Sequence, residues 1–346
     1  MAESGRGEGQ VRIAVVGAGA MGGSYGGMLA ITGEDVSLVD ARGDHVEAIR
    51  RDGLRISGAF GEHVVRLPAA RGAEGLEPAG GGWADLVVVF TDTNATRDAA
   101  RAADHLLAPT GCAITFQNGI GNVETLQAEL GAERVLGGSS MCSALVEAPG
   151  HVVMTHRGPT SIGELDGRRT NRLQRVGAAL ERAGFEVHVK DDINARIWTK
   201  FIVNSAINAL CATTGLRLGE VSRLPEMDAL QDRVLDEAFA LVRTKEIPVE
   251  EADVRAGIKR SCRLKFSRPS MLQHVEAARR TEIDAINGAL VRESHRLGLA
   301  APYNEALTAL LKGRERDAIR RRENPDLDYG AWEAEVAAEE ERQTAT

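Results

Sequence analysis

Residues 11–16 (VRIAVV) form a short, largely β-branched run that stops at a glycine, and Gly17-Ala18-Gly19-Ala20-Met21-Gly22 then spells GxGxxG. A buried strand that runs into this pattern and then into a helix leaves few folds open. Gly17 permits the tight turn, Gly19 lets the backbone approach a pyrophosphate, and Gly22 allows close packing of helix on strand. The N–H groups around Ala18, Ala20 and Met21, at the helix start, would meet phosphate oxygens. A second buried strand, residues 35–40 (DVSLVD), follows after one helix, which completes a βαβ unit of about 30 residues. Asp40 ends that strand, where an acid binds the ribose hydroxyls and disfavours a 2′-phosphate. Arg42, two residues on, would accommodate that phosphate instead, unless it is only a solvated loop charge; the residues by themselves lean to NADH and leave NADPH open. The plainer alternative is a glycine turn that serves packing alone.

Residues 84–90 (ADLVVVF) and 112–116 (CAITF) read as further buried strands around a helix at residues 96–107. Residues 45–52 and 171–183 are helical by period, 54–67 read as strand and turn, and 152–162 and 186–189 as strand. After Asp191 strand signals fade. Helical periods cover residues 195–213, 229–245, 249–258, 281–297 and 301–311. The expected architecture is α/β: a dinucleotide-binding Rossmann domain over residues 11–190, then an all-helical substrate and catalytic domain over 191–320. Residues 1–10 and 321–346 are expected to be flexible or peripheral.

Composition removes other classes. Of 346 residues, 42 are basic and 50 acidic, a net charge of −8, which argues against a nucleic-acid partner. No run reaches the roughly 20 apolar residues of a membrane span. Cys112, Cys142, Cys211 and Cys262 show no CxxC spacing, which suggests free thiols in a reducing, cytoplasmic setting and no metal site.

Lys200, Asn204 and Asn208 recur every four residues in an otherwise apolar helix (WTKFIVNSAINALC), so they line one stripe. A buried lysine with two asparagines needs partners or a ligand; bonds to neighbouring helices are the plain alternative. Asn118, in QNGIGN, follows a strand end, where open α/β sheets bind ligands, although a turn asparagine before glycine is as good a reading. Thr281 and Asp284 fit a capping box, with Glu282 in a first helical turn.

Together these pieces resemble the ketopantoate reductases (2-dehydropantoate 2-reductases). The matching segments are GAGAMGG at residues 17–23, QNGIGN at 117–122, IGE at 162–164, WTKFIVNSAINALCATTG at 198–215, SML at 270–272 and TEIDAINGALV at 281–291. The resemblance implies NADPH-dependent reduction of a 2-oxo acid to a 2-hydroxy acid, in the pathway to pantothenate, in a cleft between two domains. It makes Lys200 and Glu282 the catalytic pair, and it makes Asn118, Asn204, Asn208 and Ser270 substrate contacts, with Asn118 also expected at the cofactor. Two positions depart from the pattern: Asp92 replaces a lysine after the third buried strand, and His274 replaces the aspartate of SMLQD. Asp40 and Asp92 keep NADH open as cofactor. An opine-type or other hydroxyacid dehydrogenase, or a non-catalytic NAD(P)-binding sensor, shares the first motif; the sensor has no need of Lys200 and Glu282 together. A homodimer through the helical half is plausible. If Ser270 and Glu282 meet one small acid, the ~18 Å that a straight helix would put between them predicts a break at residues 270–278, with the next helix starting near Thr281.

Overall fold

The computed structural model describes residues 10–76, 81–326 and 328–344. Apart from Gln10, the expected loose leader lies outside them. Twelve strands are described: β1 Arg12–Val16, β2 Asp35–Val39, β3 Leu54–Gly58, β4 His63–Val65, β5 Ala69–Ala70, β6 Ala84–Val89, β7 Leu107–Thr115, β8 Val135–Ser140, β9 Ser143–Ala148, β10 His151–His156, β11 Thr160–Glu164 and β12 Val187–Val189. Eight form one sheet in the order β12-β11-β8-β7-β6-β1-β2-β5. All its pairings are parallel except β8 with β11. The chain leaves β1 for β2 on one side and returns to β6 on the other. The carboxyl ends of β1 and β6 therefore flank the switch point at which such sheets bind ligands.

A second sheet, β4-β3-β10-β9, was not foreseen. Residues 152–162, read as one strand region, hold most of β10 in this sheet and the start of β11 in the other. The helix Ala20–Ile31 lies between the two sheets and is buried from Gly22 to Leu29. Its glycines let it sit there: a Cβ on Gly26 would lie 2.8 Å from Leu38 of the first sheet, and one on Gly27 would lie 2.3 Å from Ile56 of the second. Buried Tyr25 in this helix donates to Ser140 Oγ at 2.8 Å, which fastens the helix to β8.

Strands end at Val189, and helices carry the rest. The 22-residue helix Ile193–Thr214 is the axis of a separate apolar core that includes Phe201, Leu210, Leu235, Phe239 and Leu290. Asp192 caps it, its Oδ1 accepting from the Ala195 N–H at 2.9 Å. Beyond residue 320 the chain stays helical to Glu323 and again over Tyr329–Thr344, where the described side chains are almost all exposed and the Arg320 guanidinium lies over the Trp332 ring. No helix among the described residues is long and apolar enough to cross a membrane. All four cysteines are free.

Candidate active site

The nucleotide end is built at the β1 turn. Gly17 has φ +93, and a Cβ there would fall 2.5 Å from the Thr91 backbone nitrogen, so the ends of β1 and β6 are in contact. The N–H groups of Gly17 and Ala18 both donate to the Val39 carbonyl, at 2.8 and 3.1 Å. They shape the turn. The donors left over are those of the first turn from Ala20, through Met21 and Gly22, which have no side-chain cap. Gly19 faces open space; the nearest atom to a Cβ built there is an Arg42 guanidinium nitrogen at 3.9 Å. Gly22 is the opposite case, since its Cβ would lie 1.9 Å from the Gly17 carbonyl oxygen. A shallow backbone cradle with free N–H groups fits a dinucleotide pyrophosphate.

Buried Asp40 is not a free anion. Its Oδ1 accepts from the Arg42 N–H at 3.0 Å and from Arg42 Nε at 3.1 Å. Arg71, just past β5, reaches the same rim, with its guanidinium carbon 3.5 Å from a Cβ built on Gly43. Sequence reasoning missed Arg71, because a two-residue strand leaves no pattern to announce it. It also missed His45, which is fully buried. The Gly150 N–H donates to His45 Nδ1 at 3.0 Å, and this fixes the tautomer: Nε2–H donates to the Ala18 carbonyl at 3.0 Å. One neutral ring thus ties the glycine turn to the second sheet.

Burial, with Arg42 second, lowers the His45 pKa below its ordinary 6.5. Above that value both folded and unfolded states hold His45 neutral. As pH falls below it the unfolded state takes up the proton first, so stability is lost on acidification. The melting temperature is expected to drop between pH 6.5 and 5. A His45→Asn variant, measured by calorimetry, should start lower and show a shallower slope; equal slopes would remove His45 from this role.

The substrate end is built from both halves of the chain. Asn118 follows β7 by three residues, and its Nδ2 donates to Glu282 Oε2 at 2.8 Å. Its Oδ1 accepts from Asn204 Nδ2 at 3.5 Å, the limit of a hydrogen bond. Gly119, at φ +84, lets the two halves touch: a Cβ would lie 2.3 Å from the Ala285 carbonyl, which accepts from the Ile120 N–H at 3.4 Å. Gln117 donates to the Thr91 carbonyl at 2.8 Å and to Thr96 Oγ1 at 3.0 Å, which steadies the loop after β6.

Lys200 lies one turn before Asn204 and is partly buried. Its ammonium has no hydrogen-bond or ion-pair partner among the described residues, and desolvation pushes its pKa down to about 8 against the opposing pull of Glu282. Burial, aided by the Asp92 carboxylate, pushes Glu282 up, while the Asn118 hydrogen bond and Lys200 hold it down. A half-buried acid and a half-buried ammonium with no partner among the described residues, both with displaced pKa values and in one cleft, are what proton-transfer chemistry requires.

Asn208 is buried one turn beyond Asn204, and Ser270 is exposed at the start of the helix Ser270–Glu276. Neither is hydrogen-bonded to the Lys200–Asn118–Glu282 group.

Two local expectations need correction. Residues 270–276 are helical, and the break comes later, over residues 277–286, with the next helix at Asn287–Arg296. Ala278, at φ +49, makes the turn. The capping box does not form. Thr281 gives both its N–H and its hydroxyl to Glu315 Oε2, at 2.6 Å each, and Asp284 binds Lys312 at 2.8 Å. Glu282 therefore owes its place to this bend and to Asn118, not to a helix dipole.

Comparison with known proteins adds the family. The model of ketopantoate reductase PanE/ApbA matches residues 13–167, and that of its C-terminal part matches residues 192–315. The chain belongs to the ketopantoate reductase family. It is 33% identical to the 2-dehydropantoate 2-reductase of Pyrococcus horikoshii and 32% identical to that of Archaeoglobus fulgidus, in each case over 88% of this chain and 98% of the relative. Among solved structures, the PanE/ApbA family ketopantoate reductase of Ralstonia eutropha superimposes with a TM-score of 0.81 at 31% identity, covering 89% of this chain and 99% of that one. D-mandelate dehydrogenase, solved with NADH and anilino(oxo)acetate, also gives 0.81, at 26% identity over the same shares. This ketopantoate reductase family member is accordingly an oxidoreductase of the NAD(P)H-dependent kind.

Proposed function

We propose that this chain reduces 2-dehydropantoate to the 2-hydroxy acid with NADPH. The observation that carries the reading is Lys200, an unpaired ammonium in a partly dry cleft, one helical turn from the Asn204–Asn118–Glu282 chain. The nicotinamide supplies a hydride when it is bound; everything else falls to the protein. Lys200 Nζ holds a proton near neutral pH, gives it to the keto oxygen and stabilises the charge that develops there. Glu282 receives a substrate hydroxyl and balances the ammonium. The Ser270 hydroxyl and the amide of Asn208 or Asn204 take the substrate carboxylate. Loss of nicotinamide absorbance on adding ketopantoate to enzyme and NADPH tests the reaction directly; no loss with any 2-oxo acid overturns it.

A second reading, a hydroxyacid dehydrogenase for another 2-oxo acid, draws on the likeness to D-mandelate dehydrogenase. A substrate panel in the same assay separates the two.

NADPH is favoured over NADH because Asp40 is already neutralised by Arg42, and Arg42 and Arg71 both stand at the rim where a 2′-phosphate would lie. Charged hydrogen bonds are each worth about 1.5–3 kcal/mol. The double change Arg42→Ala with Arg71→Ala is thus expected to raise KM for NADPH by tenfold or more and to leave KM for NADH nearly unchanged. Equal effects on both cofactors would show that the arginines do not read the phosphate.

A further inference from the structure

Asp92 has no part in the proposed chemistry, yet it stands at its mouth. It lies three residues beyond the end of β6, at the switch point, and precedes the short turn Thr93–Ala95. Its carbonyl accepts from the Ala95 N–H at 2.9 Å and from Gln117 Nε2 at 3.4 Å, so its backbone is fixed. Its side chain is exposed, and its carboxylate has no hydrogen-bond or ion-pair partner among the described residues. Two groups from the helical half lie within its electrostatic reach, Glu282 and His274.

His274 sits one helical turn after Ser270 and on the same face. Its Nδ1 is buried without a partner. Arg279, Asp92 and Glu315 act on the ring, and the Arg280 carbonyl lies against it. Glu315 is already spent on Thr281. Arg279 has an exposed side chain with no partner among the described residues. Among the described residues, this end of the cleft therefore brings together the unpaired Arg279 guanidinium, the protonatable His274 ring and the unpaired Asp92 carboxylate, beside the half-buried Glu282.

Resting on the reductase reading above, we infer that Asp92 is a specificity-determining residue that turns away 2-oxo acids with a second carboxylate and favours those whose far end is neutral or donates a hydrogen bond. Lys200 is committed to the keto oxygen, and Ser270 with an amide to the first carboxylate. A second carboxylate at the far end meets the carboxylates of Asp92, which is exposed, and Glu282, which is half-buried, and this like-charge juxtaposition disfavours it. A hydroxyl or ammonium there finds two acceptors instead. Arg279 would receive a second carboxylate, but Asp92 acts on the same His274 ring with the opposite sign and offsets it.

The test compares kcat/KM for ketopantoate and for 2-oxoglutarate in the wild-type enzyme, in Asp92→Asn and in Asp92→Asn with Arg279→Ala. Asp92→Asn is nearly isosteric at an exposed side chain, and cofactor titration checks that the variant remains folded. The expected result is at least a tenfold fall in the ketopantoate-to-2-oxoglutarate ratio in Asp92→Asn, through a lower KM for 2-oxoglutarate at constant KM for NADPH. The added Arg279→Ala should return much of that loss. A ratio unchanged within twofold overturns the inference, as does an equal shift for both substrates. Wild-type enzyme that reduces no 2-oxo acid overturns the parent reading itself.

Discussion

Replacement of Lys200 by alanine is expected to lower kcat by about 10²–10⁴-fold, the usual worth of a placed general acid, while cofactor binding persists. The wild-type rate should fall as pH rises through about 8, because the acid works only while it holds its proton and burial has brought its pKa there. Arginine should not restore the rate, since it cannot release a proton in this range. Stability should move the other way. Lowering a lysine from its ordinary 10.5 to about 8 costs on the order of 3 kcal/mol wherever both states are protonated, which includes pH 7. That cost fades as pH climbs from about 8 toward 10.5. Lys200→Met should therefore melt at or above the wild-type temperature at pH 7. Turnover near wild type in Lys200→Ala would take the acid role from this residue. A Lys200→Met protein that melts well below wild type would show that the ammonium is not held at a cost.

The second large effect separates two glycines three positions apart. Gly22→Ala puts a methyl 1.9 Å from the Gly17 carbonyl, backbone against backbone, with Val15 at 3.1 Å on the other side. Neither neighbour can yield without parting the helix from β1, and a loss of more than about 3 kcal/mol is expected, beyond the usual range of overpacking. Gly19→Val should leave the melting temperature within a few degrees, because φ is −62 and the space is open. It should nonetheless abolish cofactor binding by filling the backbone approach to the pyrophosphate. Thermal melts and a fluorescence titration read the two outcomes. Undiminished affinity in Gly19→Val would mean that the pyrophosphate does not cross Gly19.

The first motif and the Lys200 stripe were legible because each is local: a strand stopped by glycine, and an i, i+4 repeat. Folding brought Lys200, Asn118, Asn204 and Glu282 into one cleft. What the sequence concealed was non-local. β8 and β9 read VLGGSS and SALVEA, with little apolar pattern; β8 pairs antiparallel with β11, 20 residues on, and the β9–β10 hairpin joins a sheet only through β3, about 95 residues back in the chain. The Thr281–Asp284 pattern has the spacing of a cap, but Glu315, 34 residues on, takes both donors of Thr281. The bend after residue 276 turns at Ala278, where no glycine marks it. Arg71 and His45 gave no signal, because their importance lies in what β5 and Gly150 bring beside them.

Asn118 comes from the loop after β7 of the sheet and Glu282 from the helical half, so neither fragment of a chain severed at the 190–192 link owns the whole of the proposed reaction centre. The nucleotide cradle stays with one piece, the ammonium and the acid with the other, and only their reassembly rejoins the amide to the carboxylate.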